Sequence, residues 1–248
     1  MIMMITNMLT SQTLRKNLVV ASVGIRTMTD LADNRTVEYH LDKTTIGDEI
    51  LIDGKIIPSD LRELYQDIVK RRFEIYPHAD TTSELDYDYP SFDWASYHEY
   101  KCIDVFPQLK FLFPYIKECL DIVGDKDYNK YYFKSWINIW PKGQQIIRHN
   151  HYGVWHGYYV IKDTGTTTYY QPSEDSQEVV ALDNYDGHFT FMPAHLYHWA
   201  TPNPQDAMRI STGYNISTYE QVLEESNLDR NERGGKVENV VTPLKELL

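Results

Sequence analysis

From residue 131 onward, apolar and polar positions alternate with a period of two, the signature of strands with one face buried. Residues 131–140 alternate most strongly, and Pro141-Lys142-Gly143 follows as a turn. Further short runs predict strands at 144–151, 156–162, 166–170, 178–182, 188–192 and 208–218. Short strands at this spacing, broken by Gly, Pro and Asp turns, indicate a sandwich or barrel. Upstream the period changes. Leu61, Leu64, Tyr65, Ile68 and Val69 fall on one face of a helix that opens at Pro58-Ser59-Asp60 and ends in Lys70-Arg71-Arg72. A second helix is predicted over 106–123, with Pro114 kinking or splitting it. Residues 49–57 read as a hairpin turning at Asp53-Gly54. One strand is expected at 17–25, followed by a polar stretch to 45 without a clear period.

The remaining segments complete a single domain, 1–248. Residues 1–129 form a mixed N-terminal supporting region, 130–218 the β core, and 219–248 a C-terminal helix and tail with a flexible stretch at 231–236. The acidic, Tyr- and Ser-rich segment 77–99 reads as a long loop, either solvated surface or a lid. No internal repeat is visible. The fold class is therefore mainly β with flanking helices.

Composition narrows the function. A net charge of −12, from 24 basic and 36 acidic residues, argues against nucleic acid or an anionic membrane as the main partner. Only Cys102 and Cys119 are present, without a metal-ligand pattern, so a disulfide framework is not expected and a reducing cytoplasm is the default location. No apolar run is long enough for a membrane span. Arg15-Lys16 and the apolar 18–25 resemble part of a signal peptide, but the apolar run is short and Arg26 interrupts it.

The chemistry gathers around Arg148-His149-Asn150-His151. His149 and His151 are two apart, so on a strand they share a face. His198 follows 47 residues after His151 and ends the aromatic segment 189–198; Arg209 comes eleven residues later. Three imidazoles on one side of a metal leave its other face open, the arrangement of non-haem iron oxygenases. On the last strand Arg209, Ser211, Gly213 and Asn215 share one side and Ile210, Thr212, Tyr214 and Ile216 the other. An arginine inside a barrel needs a counter-charge. No acid lies beside it on that strand. A ligand carboxylate would supply the charge, with Ser211 adding a hydrogen bond and Gly213 leaving room. In the opposite register Arg209 faces solvent.

Gly143, His149, the segment 189–198 and Arg209-Ile210-Ser211 together resemble the core of the Fe(II)/2-oxoglutarate-dependent oxygenases. The stretch 136–140 with Pro141, Gly143 and His149 is similar to the opening strands of their aspartyl/asparaginyl-hydroxylase branch and of uncharacterised bacterial and phage oxygenases. The resemblance covers 130–218 and leaves 1–129 outside it. It implies a double-stranded β-helix (jelly-roll, cupin-like) core, Fe(II) as the metal, 2-oxoglutarate and O2 as co-substrates, and release of succinate and CO2. Hydroxylation of a protein side chain or a small molecule is the implied outcome. Arg209 and Ser211 would hold the distal carboxylate of 2-oxoglutarate, Asn138 would contact it, and His156 would reach either it or the substrate. This chain departs from the family at His151, where most members carry Asp or Glu. Either His149, His151 and His198 all bind the metal, or His149 and His198 do so with water in the carboxylate's place.

Two other functions fit the same residues. A cupin-type dioxygenase with a three-His iron site and no 2-oxoglutarate explains His151 but leaves Arg209 and Ser211 idle. A non-catalytic jelly-roll binding protein would use the histidines structurally or for nothing.

Overall fold

The computed structural model describes residues 19–29, 36–75, 101–232 and 241–248. Two antiparallel sheets organise it. The larger has the order β1-β2-β3-β8-β5-β10-β4-β11, ending on the short β11 (Thr242–Pro243), and the smaller β7-β6-β9. The central strands of the large sheet are β4 (Tyr131–Trp140), β5 (Trp155–Lys162), β8 (His188–Pro193) and β10 (Arg209–Thr218). The small sheet consists of β6 (Thr167–Gln171), β7 (Val180–Asp183) and β9 (Tyr197–Ala200). The chain alternates between the sheets, and strands distant in sequence pair, as in a jelly roll.

Residues 144–151, expected as a strand, run beside β9 without forming a ladder. His149 and His198 exchange backbone hydrogen bonds of 3.1 and 2.8 Å. In that register Ala200 would pair with Ile147, but its N–H donates instead to Ile146 O at 3.1 Å. The register therefore slips, leaving one isolated bridge.

The N-terminal region extends the large sheet through β1 (Val19–Thr29), β2 (Thr36–Ile46) and β3 (Glu49–Lys55). The stretch without a period is thus largely strand. A register shift between Ser22 and Ile25 interrupts the β1–β2 ladder. Along β2 the buried positions change phase, with Tyr39 and Leu41 in the main core beneath the helices and Ile46 in a smaller core with Leu51, Tyr158 and Tyr170. The hairpin turn expected at Asp53-Gly54 is instead at Gly47-Asp48, where Gly47 has φ 59°. Gly54 lies within β3 because a Cβ there would come 2.0 Å from His40 O on the neighbouring strand.

Two helices cover one face of the large sheet. The first spans Leu61–Ile75. The second splits near the proline: a 3-10 turn runs over Pro107–Leu112, and the α-helix Phe113–Val123 carries Pro114 in its first turn, where the missing N–H costs no hydrogen bond. Leu64, Ile68, Phe113, Ile116 and Leu120 pack with Phe133, Ile137, Ile139, Ile210, Tyr214 and Ile216 in the main core. Phe113 meets Phe133 edge-on at 4.9 Å. A third helix, Tyr219–Glu232, follows β10; Lys134 donates to its Glu225 at 2.7 Å. The possible lid at 77–99 and most of the flexible stretch at 231–236 lie outside the described residues. Among the described residues no helix is long and apolar enough to cross a membrane.

Candidate metal and co-substrate site

The other face of the large sheet looks toward the small sheet, and the polar residues are there. The pairing Arg209↔Trp140, Ser211↔Asn138, Gly213↔Trp136 and Asn215↔Lys134 puts these eight residues on one side of β10 and β4. β5 adds His156 opposite Asn215 and Tyr158 opposite Gly213. Arg209 faces inward, so the register with a solvent-exposed arginine does not occur.

The potential ligand atoms of His149, His151 and His198 all lie within 4.8 Å of one another. Two of the rings are oriented by backbone carbonyls. His149 Nδ1–H donates to Ile147 O at 2.8 Å, the carbonyl that the slipped register has freed. His198 Nδ1–H makes a longer contact of 3.4 Å to Leu196 O. Both leave Nε2 with its lone pair, the usual device for presenting an imidazole to a metal. His149 Nε2 and His151 Nε2 are 3.1 Å apart. Nitrogens about 2.1 Å from one ion and at right angles to each other are separated by about 3 Å. His151 takes its place differently: its backbone N–H donates to Ala194 O at 2.8 Å, and its ring stacks on that of His156 with centroids 3.7 Å apart. His156 is fixed in turn by Asn215, with Nδ1 2.8 Å from Oδ1.

All four imidazoles are neutral near pH 7. Burial pushes His149 below its ordinary range against the opposing effect of Ile147 O. His151 and His198 are pushed well below it by burial and then by neighbouring histidines. His156 falls to about 3, mainly through burial, with Asn215 opposing. A set of neutral nitrogen donors suits a divalent transition metal. The residues fit such an ion.

Gly213 makes space, though not for a ligand: a Cβ there would lie 2.6 Å from the Trp136 indole. That indole sits 5.5 Å from the His151 ring and 6.0 Å from His156. Arg209 is 3% exposed, and burial lowers its pKa, with Tyr158, Asp163 and Tyr170 opposing. Its Nε donates to Thr166 Oγ1 at 3.0 Å, Nη1 to Ser211 Oγ at 3.2 Å, and Cζ lies 4.3 Å above Trp140. No other N–H of the guanidinium donates to an acceptor among the described residues. Asn138 Nδ2 reaches Ser211 Oγ at 3.5 Å, while its buried Oδ1 has no partner. Unused donors on a buried arginine beside an orphaned amide oxygen mark a place where a polar ligand fits.

Sequence reasoning missed what surrounds the arginine. Asp163 Oδ1 lies 3.6 Å from Nε, so part of the counter-charge comes from the β5–β6 turn. Thr166 connects through Asn184 Nδ2 (2.9 Å) to a buried network in which Tyr158 OH meets Asn184 Oδ1 at 3.1 Å and Tyr170 OH at 2.5 Å. Asp163-Thr164-Gly165-Thr166 carried a turn signal that could have located the acid. His195 pairs with Glu49 at 2.8 Å and stands apart from the cluster.

No family model matches the sequence, and no curated protein matches it. Solved structures do. A prolyl hydroxylase in complex with a hypoxia inducible factor oxygen degradation domain peptide fragment from Trichoplax adhaerens is similar at 13% identity, over 66% of this chain and 81% of that one, with a TM-score of 0.49. HygX from Streptomyces hygroscopicus, with nickel and 2-oxoglutarate bound, is similar at 10% identity, over 68% and 82%, with a TM-score of 0.48. A Pseudomonas putida prolyl-4-hydroxylase is similar at 13% identity, over 70% and 89%, with a TM-score of 0.45. At such identities and scores none of them assigns a role to a side chain of this protein.

Proposed function

We propose that this protein is a 2-oxoglutarate-dependent non-haem iron oxygenase acting on a protein side chain or a small molecule. The observation that carries the reading is the inward face of β10 and β4. It places a buried arginine with unused donors on the same interior wall that borders three clustered imidazoles. His149, His151 and His198 would hold Fe(II). Bound there, Fe(II) would supply Lewis-acid and oxygen-activating redox chemistry toward the 2-oxo acid end of 2-oxoglutarate.

The chain's own residues do the rest. Arg209 binds the distal carboxylate through its Nη edge, and Ser211 Oγ–H adds a second donor. Asn138 donates beside it through Nδ2, with its amide turned toward the carboxylate. Trp136, Tyr158 and the small sheet exclude water. His156 packs against His151 and borders the substrate side.

One observation favours a second reading. Asp163 already provides Arg209 with part of its counter-charge, as expected in a three-His dioxygenase that uses no 2-oxoglutarate. Slow turnover without added substrate separates the two. The Fe(II) protein given 2-oxoglutarate in air should release succinate. Absence of succinate from a protein that binds iron would leave the second reading standing.

A further inference from the structure

Asp163 opens the turn between β5 and β6, and its side chain is 8% exposed. Its carboxylate accepts the Gly165 N–H at 2.6 Å, the Thr166 hydroxyl at 2.7 Å and the Thr166 N–H at 3.4 Å. These bonds fix the turn. Its distance of 3.6 Å to Arg209 Nε is too long for a hydrogen bond, so the acid acts on the arginine through charge. The arginine's direct partners are Thr166 Oγ1, Ser211 Oγ and the Trp140 ring, and Asp163 touches its position only through the Thr166 hydroxyl.

A carboxylate arriving at the Nη edge therefore meets a guanidinium whose Nε side already faces an acid. It is attracted by Arg209 and repelled by Asp163 across the same group, in a low-dielectric interior where neither charge is well screened. We infer that Asp163 sets the affinity for the distal carboxylate of the 2-oxo acid, holding it below what Arg209 alone would give. This rests on Arg209 being the co-substrate anchor. The consequence is selective: the acid opposes dicarboxylates and is indifferent to a 2-oxo acid of the same length that ends in a methyl group.

Calorimetry on the Mn(II)-loaded full chain tests this, with 2-oxoglutarate and 2-oxopentanoate titrated into wild type and Asp163→Asn. Asparagine keeps an acceptor for the turn and removes the charge; Asp163→Ser does the same with a hydroxyl, should the first variant fail to fold. The inference expects 2-oxoglutarate to bind about tenfold more tightly to either variant, with 2-oxopentanoate unchanged. Unchanged or weaker 2-oxoglutarate binding, or equal tightening of both ligands, would overturn it, while weakened 2-oxoglutarate binding by Arg209→Ala in the same titration would show that the anchor itself stands. Failure of wild type to bind 2-oxoglutarate at all would overturn the anchor, and the inference with it.

Discussion

The two faces of β10 share a backbone and do opposite work. One presents Ile210, Thr212, Tyr214 and Ile216, of which the three apolar residues join the main core against the helices. The other presents Arg209, Ser211, Gly213 and Asn215. The first face contributes stability, since each large apolar side chain buried there is worth about 1.5–3 kcal/mol. The second contributes little of that kind. Its buried charge and amides cost free energy unless they are paired. Asn138 Oδ1 and most of the Arg209 donors are not paired within the described residues. A protein that retains such groups at the centre of its largest sheet is stabilised from the outer face and equipped from the inner one.

Substitutions on the two faces should therefore be separable. The largest effect is expected for His149→Ala or His198→Ala, which should abolish Fe(II) binding by calorimetry while leaving the thermal unfolding of the metal-free protein nearly unchanged. Retention of one tightly bound iron in either variant would exclude the three-imidazole centre. His151→Ala then distinguishes its two forms: a large loss of affinity means three histidines, and a mild one means two histidines with water. His151→Asp should retain metal.

On the outer face, Phe133→Ala should cost about 3–5 kcal/mol of stability in denaturant unfolding. The fraction that stays folded should bind metal and 2-oxoglutarate as wild type does. Loss of ligand affinity in that fraction would show that the faces are coupled. Next in size is Arg209→Ala. Loss of a charge-assisted contact to a buried carboxylate costs about 2–5 kcal/mol, or roughly 30-fold to several-thousand-fold in the 2-oxoglutarate Kd. Iron affinity should not change. An unaltered 2-oxoglutarate Kd would reduce Arg209 to a structural residue paired with Asp163.

The inner face was legible because its signal is local. Alternation along 131–140 and 208–218 fixes which residues share a side, and the sheet preserves it: Arg209, Ser211 and Asn138 are where that pattern places them. Signals that depend on a neighbouring strand were not legible. Gly54 resembles a turn residue, but its lack of a side chain answers to His40 O on β2. Gly213 leaves room for Trp136, which no spacing along β10 reveals. Residues 144–151 have the composition of a strand, whereas the slip that frees Ile147 O for His149 arises from pairing with β9. Asp163 and Thr166 meet Arg209 from more than forty positions away. A one-dimensional pattern carries which face a residue takes, and not what the opposite strand brings to it.

In the proposed function a metal on His149, His151 and His198, beside and within β9, and Arg209 on the inner face of β10 hold the two ends of one 2-oxo acid. The most direct measurement is an anaerobic titration of the Fe(II) protein with 2-oxoglutarate, followed in the visible spectrum. A saturable charge-transfer band, absent in His198→Ala and requiring far more 2-oxoglutarate in Arg209→Ala, is the predicted result. A protein that binds Fe(II) yet shows no such band at saturating 2-oxoglutarate would contradict it.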